Sequence, residues 1–201
     1  MSVEPDLNTM IRLIGAGEGS AARQLLVTTP GLATARIERT DEFFVEECHA
    51  QIYAGDTALH AAAFAYDTGI AGRLLEAGAD VHARNRRGGE PLHSATRGGP
   101  GSPRWSPTLQ VAMIEYLIGA GADPNALATG GVTPLHRAVR NRCSAAVDAL
   151  LRHGADRRLA NDSGSTAFDL AHWTTGRGGS GSPEARAEQQ RIVDRLADTS
   201  R

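Results

Sequence analysis

Reactive side chains are few in this 201-residue chain, and their types narrow the chemistry open to it. All 21 basic residues are arginine. Without a lysine the chain cannot form a Schiff base, use a lysine general base or supply the ammonium group of a phosphate-binding P-loop. Cys48 and Cys143 are too few and too far apart for a disulfide framework or a four-thiolate zinc site, so reduced thiols are expected. The densest reactive cluster is Glu46, Glu47, Cys48 and His49, inside the segment Glu42 to Tyr53. Consecutive residues on a strand alternate between faces, so Glu46, Cys48 and His49 cannot converge on one ion, and no metal site is expected. Glu46, Glu47 and His49, with Tyr53 and Asp56 close behind, are the candidates for surrounding a polar substrate, although no Ser–His–Asp arrangement can be read from spacing. Gly176, Gly178 and Gly181 satisfy the G-x-G-x-x-G pattern. A helical pattern rather than a strand precedes them, so no dinucleotide crossover is available and no cofactor is expected.

A repeat positions the remaining residues. Thr57-Ala-Leu-His60, Glu90-Pro-Leu-His93, Thr133-Pro-Leu-His136 and Thr166-Ala-Phe-Asp169 recur at intervals of 33, 43 and 33 residues. Gly78-Ala-Asp80, Gly121-Ala-Asp123 and Gly154-Ala-Asp156 recur in the same register, and the interval of 43 is one period plus a ten-residue insertion. On these motifs the chain, over roughly residues 55 to 173, resembles the ankyrin repeat family, of a bacterial type with an enlarged first finger and Gly-rich insertions between helices. The resemblance implies an all-α solenoid of about five stacked helix pairs with short β-hairpin-like fingers, each pair too small to bury its apolar face alone. It also implies that His60, His93 and His136 are structural, each supported by the turn residue three positions earlier, with Glu90 standing where Thr is usual. On this register the chain is a single domain: a capping helix pair over 1–31, an enlarged finger over 32–56, repeats over 57–89, 90–132 and 133–165, and a capping repeat over 166–201.

Three connections depart from the repeat. The first finger bridges 25 residues, Leu32 to Asp56, and its Phe43, Val45, Ile52 and Tyr53 predict a hairpin lying over the first repeats. Gly98-Gly-Pro-Gly-Ser-Pro103 and Gly178-Gly-Ser-Gly-Ser-Pro183 both fall between the first and second helices of their units. The turn between them carries Arg140-Asn141-Arg142. These turns place Arg97, Arg104, Arg140, Arg142 and Arg177 on one rim, above helices that can start at Ser106, Ser144 and Ser182, an arrangement suited to anions. The same stretches also read plainly as long turns with solvated arginines.

A formal charge of −2 supplies no global basic field, which argues against nucleic acid. No run approaches 18 apolar residues, and the first ten residues lack the apolar core of a signal peptide, so a cytoplasmic protein without membrane contact is expected. The Lys-free composition is in keeping with a GC-rich bacterial genome. The resemblance implies a protein-interaction module rather than an enzyme. Its partner contacts are expected at finger residues His82, Arg84, Asn85, Arg86, Arg87, Leu127, Thr129, Arg157, Arg158 and Asn161, and their arginines suit an acidic partner surface. The rival reading is a small-molecule or anion-binding protein or enzyme, using the enlarged finger and the concave groove. The oligomeric state is not specified by these features.

Overall fold

The computed structural model describes residues 4–38, 43–45, 50–176 and 182–197. Within them ten α-helices form five consecutive pairs: α1 (Glu4–Ala16) with α2 (Gly19–Thr28), α3 (Ala58–Ala65) with α4 (Thr68–Glu76), α5 (Pro91–Ala95) with α6 (Pro107–Gly119), α7 (Pro134–Arg140) with α8 (Ser144–Arg152), and α9 (Ala167–Gly176) with α10 (Pro183–Ala197). The first helices of successive pairs stack on one another as an inner layer, and the second helices stack as an outer layer. The chain is therefore an all-α solenoid. Alanine makes the inner stack possible: Ala58, Ala61, Ala62 and Ala63 are all buried, and their small side chains let α3 lie between α1 and α5. Leu59, Leu92 and Leu135 fill the same register position in three inner helices, each buried. In the outer layer Leu74, Leu117 and Leu150 do likewise.

The inner helices start at a repeated device. Thr57 and Thr133 accept the amide of the residue three positions on, while the histidine there takes a backbone N–H on Nδ1. An Nδ1 that accepts forces the ring proton onto Nε2. Nε2 of His60, His93 and His136 then donates to the carbonyls of Gly89, Val132 and Ser165, the residues just before the next inner helix's cap, at 3.0, 3.0 and 3.1 Å. In the unit that starts at Thr166, Asp169 replaces histidine, accepting from the Thr166 amide and hydroxyl at 2.8 and 2.7 Å. Outer helices stop at Gly78, Gly121 and Gly154, whose φ values of 93°, 103° and 90° lie in the left-handed region.

The ten-residue insertion splits between two places. From Glu90 to the cap Ser106 there are six more residues than from Thr57 to the cap Asp67, and α6 has 13 residues where α4 has 9. Part of the insertion therefore adds a turn to the start of α6. That turn brings in Gln110, fully buried, whose Nε2 donates to the Tyr66 hydroxyl and the Ala95 carbonyl while its Oε1 accepts from the Trp105 indole at 2.9 Å. Behind the turn the Cys143 thiol donates to the Gly98 carbonyl at 3.0 Å, and burial pushes its pKa up to about 12.

One helix start differs from expectation. Ser106 and Ser182 accept from the amides of Leu109 and Ala185, but Cys143 rather than Ser144 occupies the cap position of α8. The Ser144 amide instead donates to the Glu188 carboxylate of α10 at 2.9 Å, so the fold itself supplies an anion at that helix end. The enlarged finger contains the hairpin, β1 (Phe43–Val45) pairing antiparallel with β2 (Ala50–Ile52), Phe43 opposite Ile52. Ile52 is buried, whereas Phe44 is half exposed. Below the hairpin Ile37 donates to the Asp56 carbonyl and accepts from Gly55, which ties the base of the finger together. No helix among the described residues is long and apolar enough to cross a membrane.

Candidate functional site

Between the fingers and the inner helices lies a groove of about 470 Å3, lined by Tyr53, Arg87, Arg97, Arg137, Arg140 and Asn141 among others, with no carboxylate among the described residues that wall it. Arg97 follows α5, whereas Arg137 and Arg140 belong to α7. Repetition shows that the fold does not demand them. The position after the histidine holds Ala61, Ser94, Arg137 and Leu170 in successive units, and the position seven after the motif's first residue holds Phe64, Arg97, Arg140 and Trp173. Three arginines thus stand where other units mostly carry small or apolar residues.

Their surroundings fix them. The Arg97 guanidinium lies 5.7 Å from the Tyr53 ring centroid and 5.3 Å from that of Phe64, and it donates to the Gln51 carbonyl at 3.3 Å. Arg87 lies 5.5 Å from the same Tyr53 ring. Behind the groove the Arg97 carbonyl accepts from the Tyr66 hydroxyl at 2.5 Å and from Gln110 at 3.3 Å, so the insertion's buried network holds the end of α5. Asn141 donates to the Thr96 carbonyl at 2.8 Å and locks α7 to the same place. Arg137 donates to the His93 carbonyl at 3.4 Å; burial, and then Arg97 beside it, pull its pKa down to about 10. Like charges are held together here at a cost in stability.

The residues singled out from sequence divide between this groove and other duties. Of the five rim arginines, Arg97 and Arg140 share the groove. Arg104 instead crosses to α1, where it donates to the Gly15 and Ala16 carbonyls and caps that helix. Arg142 occupies the left-handed turn before α8, with φ 57°, and Arg177 lies outside the described residues. Among the finger residues Arg87 and Thr129 reach the groove, and the Thr129 amide donates to the Arg87 carbonyl at 2.9 Å. Arg86 and Leu127 are exposed, and Arg157 is half-buried. Arg158 pairs with Asp156 at 3.1 Å. Asn85 and Asn161 hold their own finger turns, each accepting the amides two and four residues on. Arg84 and His82 face the buried Glu90 carboxylate at 3.1 and 3.5 Å.

Of the residues considered for acid–base work, Glu46, Glu47 and His49 lie outside the described residues. Asp56 is buried and committed to the finger base, accepting from the Tyr53 amide and the Asn85 side chain, both at 2.8 Å. Among the described residues no three His, Cys, Asp or Glu side chains gather as a metal ion would require. Arg137 and the walls it shares with Asn141 escaped the sequence reading, because Arg137 falls inside the repeat signature. Aligning the units position by position is the signal that would have exposed it.

A family model for the ankyrin repeat matches residues 54–86, and one for ankyrin repeats in many copies matches residues 117–171. No curated protein matches the chain. Both matched segments fall on stacked helix pairs joined by the histidine bonds described above, and the chain is an ankyrin repeat protein.

Proposed function

We propose that the chain is a protein-interaction module that takes an acidic segment of another protein along its fingers and inner groove. Ankyrin repeats generally serve as protein-binding modules, and fold alone names no partner. The observation that carries the reading is the groove itself, which Arg87, Arg97, Arg137 and Arg140 line together in a chain whose formal charge is −2. Arg86, Leu127, Arg157 and Arg158 on neighbouring fingers extend the contact surface, and cytoplasmic placement fits a module of this kind. Charge pairing at an exposed rim is screened by salt, so the association should weaken as ionic strength rises. Native mass spectrometry of the protein purified from its own cell tests the proposal. A co-purifying polypeptide released by salt is the expected result. A retained small molecule with no polypeptide would overturn it in favour of a ligand receptor.

A further inference from the structure

We infer that a second pocket, at the turns between inner and outer helices and so on the edge of the stack away from the fingers, takes a branched aliphatic side chain, leucine in size, from a partner polypeptide. It holds about 80 Å3 and lies between the end of α1 at Gly15, the end of α3 at Phe64 to Tyr66, and the inserted connection at Gly98 and Trp105. Ser102, Pro103 and Arg104 also wall it and are exposed, so it opens to solvent. The repeat itself does not call for these rings. The position of Tyr66 holds Gly99, Arg142 and Thr175 in the following units, and Trp105 belongs to the insertion. Tyr66 stays there under strain, since its φ of 58° lies in the left-handed region that glycine adopts more easily. A Cβ on Gly98 would come within 2.9 Å of the Tyr66 hydroxyl, so the connection closes on that ring only with glycine at 98. Strain, insertion and cavity thus coincide, and strain kept in a fold points to a use.

The walls are tied down separately. The Tyr66 hydroxyl donates to the Arg97 carbonyl and accepts from Gln110, the Trp105 indole donates to Gln110, and the Arg104 guanidinium donates to the Gly15 and Ala16 carbonyls. Fixed in this way they do not collapse into the space, although an empty apolar cavity costs stability. The same bonds select the occupant. These polar side chains are engaged inside the fold, so a polar group entering the pocket gives up water without equal replacement. A cation on the aromatic faces meets the charge of Arg104 in the same wall. An aliphatic group avoids both costs. Ring-shaped ligands are too large, because a cavity of about 150 Å3 is what admits benzene. A free molecule of about four carbons has too few atoms to bind tightly by itself, whereas the same carbons on a side chain anchor a larger interface. The pocket shares no residue with the arginine groove, so the inference does not depend on what that groove binds.

The test uses the full chain, immobilised, and three pools of nonapeptides with random flanks and a central leucine, alanine or phenylalanine, retention being read by mass spectrometry. The leucine pool should be retained about tenfold over the alanine pool, as expected for burying an isobutyl group, and over the phenylalanine pool as well. A65L, which fills the cavity from within, and S102F, which covers its mouth from an exposed position, should each abolish that preference, while R140Q in the groove keeps it. Melting curves of the variants establish that they fold. In solution isobutanol should shift the Trp105 indole N–H resonance, assigned with W173F, in the parent and not in A65L. A leucine preference that survives in folded A65L and S102F would place the binding elsewhere and overturn the inference. A phenylalanine pool retained best would overturn the size argument and the inference with it. An isobutanol shift without any leucine preference would reduce the pocket to a free-ligand cavity and overturn it too. Neither shift nor preference would mean that the insertion only completes the fold, and the acidic-partner reading of the groove would stand unaffected.

Discussion

His60, His93 and His136 each spend both ring nitrogens on the fold, one at the helix start and one on the finger that leads into the next unit, and this makes them sensitive to acid. Burial lowers the pKa of all three; for His93 it falls to about 3, with Arg137 as the second cause, and for His60 the Asp56 carboxylate partly offsets the burial. An unfolded histidine takes up its proton near pH 6.5, so between that value and the folded pKa the unfolded chain binds more protons than the native one. Stability should therefore be full above about pH 6.5 and fall as the pH drops below it. His93 alone should cost about 2 kcal/mol at pH 5. Urea unfolding at pH 7.5 and 5 checks this, and H93Q, which keeps a donor for the Val132 carbonyl without a titrating ring, should show a flatter profile across that window. Glu90 gives an independent test. Its carboxylate is buried in the position that Thr57 and Thr133 occupy, and one oxygen has no hydrogen bond. E90T should restore the threonine cap, worth about 1 kcal/mol, and raise the melting temperature by roughly 2–4 °C. A lower melting temperature would show that the Arg84 and Glu90 pair holds the finger.

The inserted connection belongs to the scale of elements. Gly-rich composition suggests a loose turn, yet the segment packs: a Cβ on Gly99 would collide with the Asn141 carbonyl, and Trp105 is half-buried against the core. Gln110 is the centre of this arrangement because it satisfies carbonyls at 95 and 97 and the hydroxyl of Tyr66 at once. Q110L should leave those buried groups short of a donor, costing about 1–3 kcal/mol, and hydrogen exchange across residues 96–106 should speed up. Exchange unchanged from the parent would mean that the turn stands without the network. The place of this segment was readable from the sequence because a disturbed period announces an insertion. Its structure was not, since the extra turn of α6 and the burial of Gln110 depend on Tyr66, which lies a repeat away. The same reason explains the site. Helix pairs, glycine stops and histidine roles follow from local signals repeated in register, and the hairpin follows from its alternating apolar residues. The groove exists only once α5, α7 and two fingers are stacked, so Arg104, which looked equivalent to Arg97, turned out to cap α1. Ser144 misled for a similar reason, its amide being taken by a carboxylate 44 residues on.

At the scale of the whole molecule, stability in a repeat stack is a sum over neighbours, and the ends govern how far disorder spreads. α10 closes one end. Its Ala185, Ile192 and Leu196 are buried, Gln189 donates to the Ala171 carbonyl at 2.5 Å, Arg195 pairs with Asp148 at 2.6 Å, and Glu188 occupies the start of α8. Burying Ile192 and Leu196 is worth about 3–6 kcal/mol together, and the carboxylate at a helix start adds about 1 kcal/mol more. That is a large share of the 5–15 kcal/mol by which a typical domain is stable. Deleting Ser182 to Arg201 should therefore lower the melting temperature, expose the outer face of α8 and promote aggregation. Because coupling passes only between neighbours, hydrogen exchange in I192D, a milder change than the deletion, should accelerate in α8 and α9 while α1 and α3 remain protected. Uniform acceleration from α1 to α9 would instead show one cooperative unit, and an unchanged pattern would mean that α10 does not seal the stack.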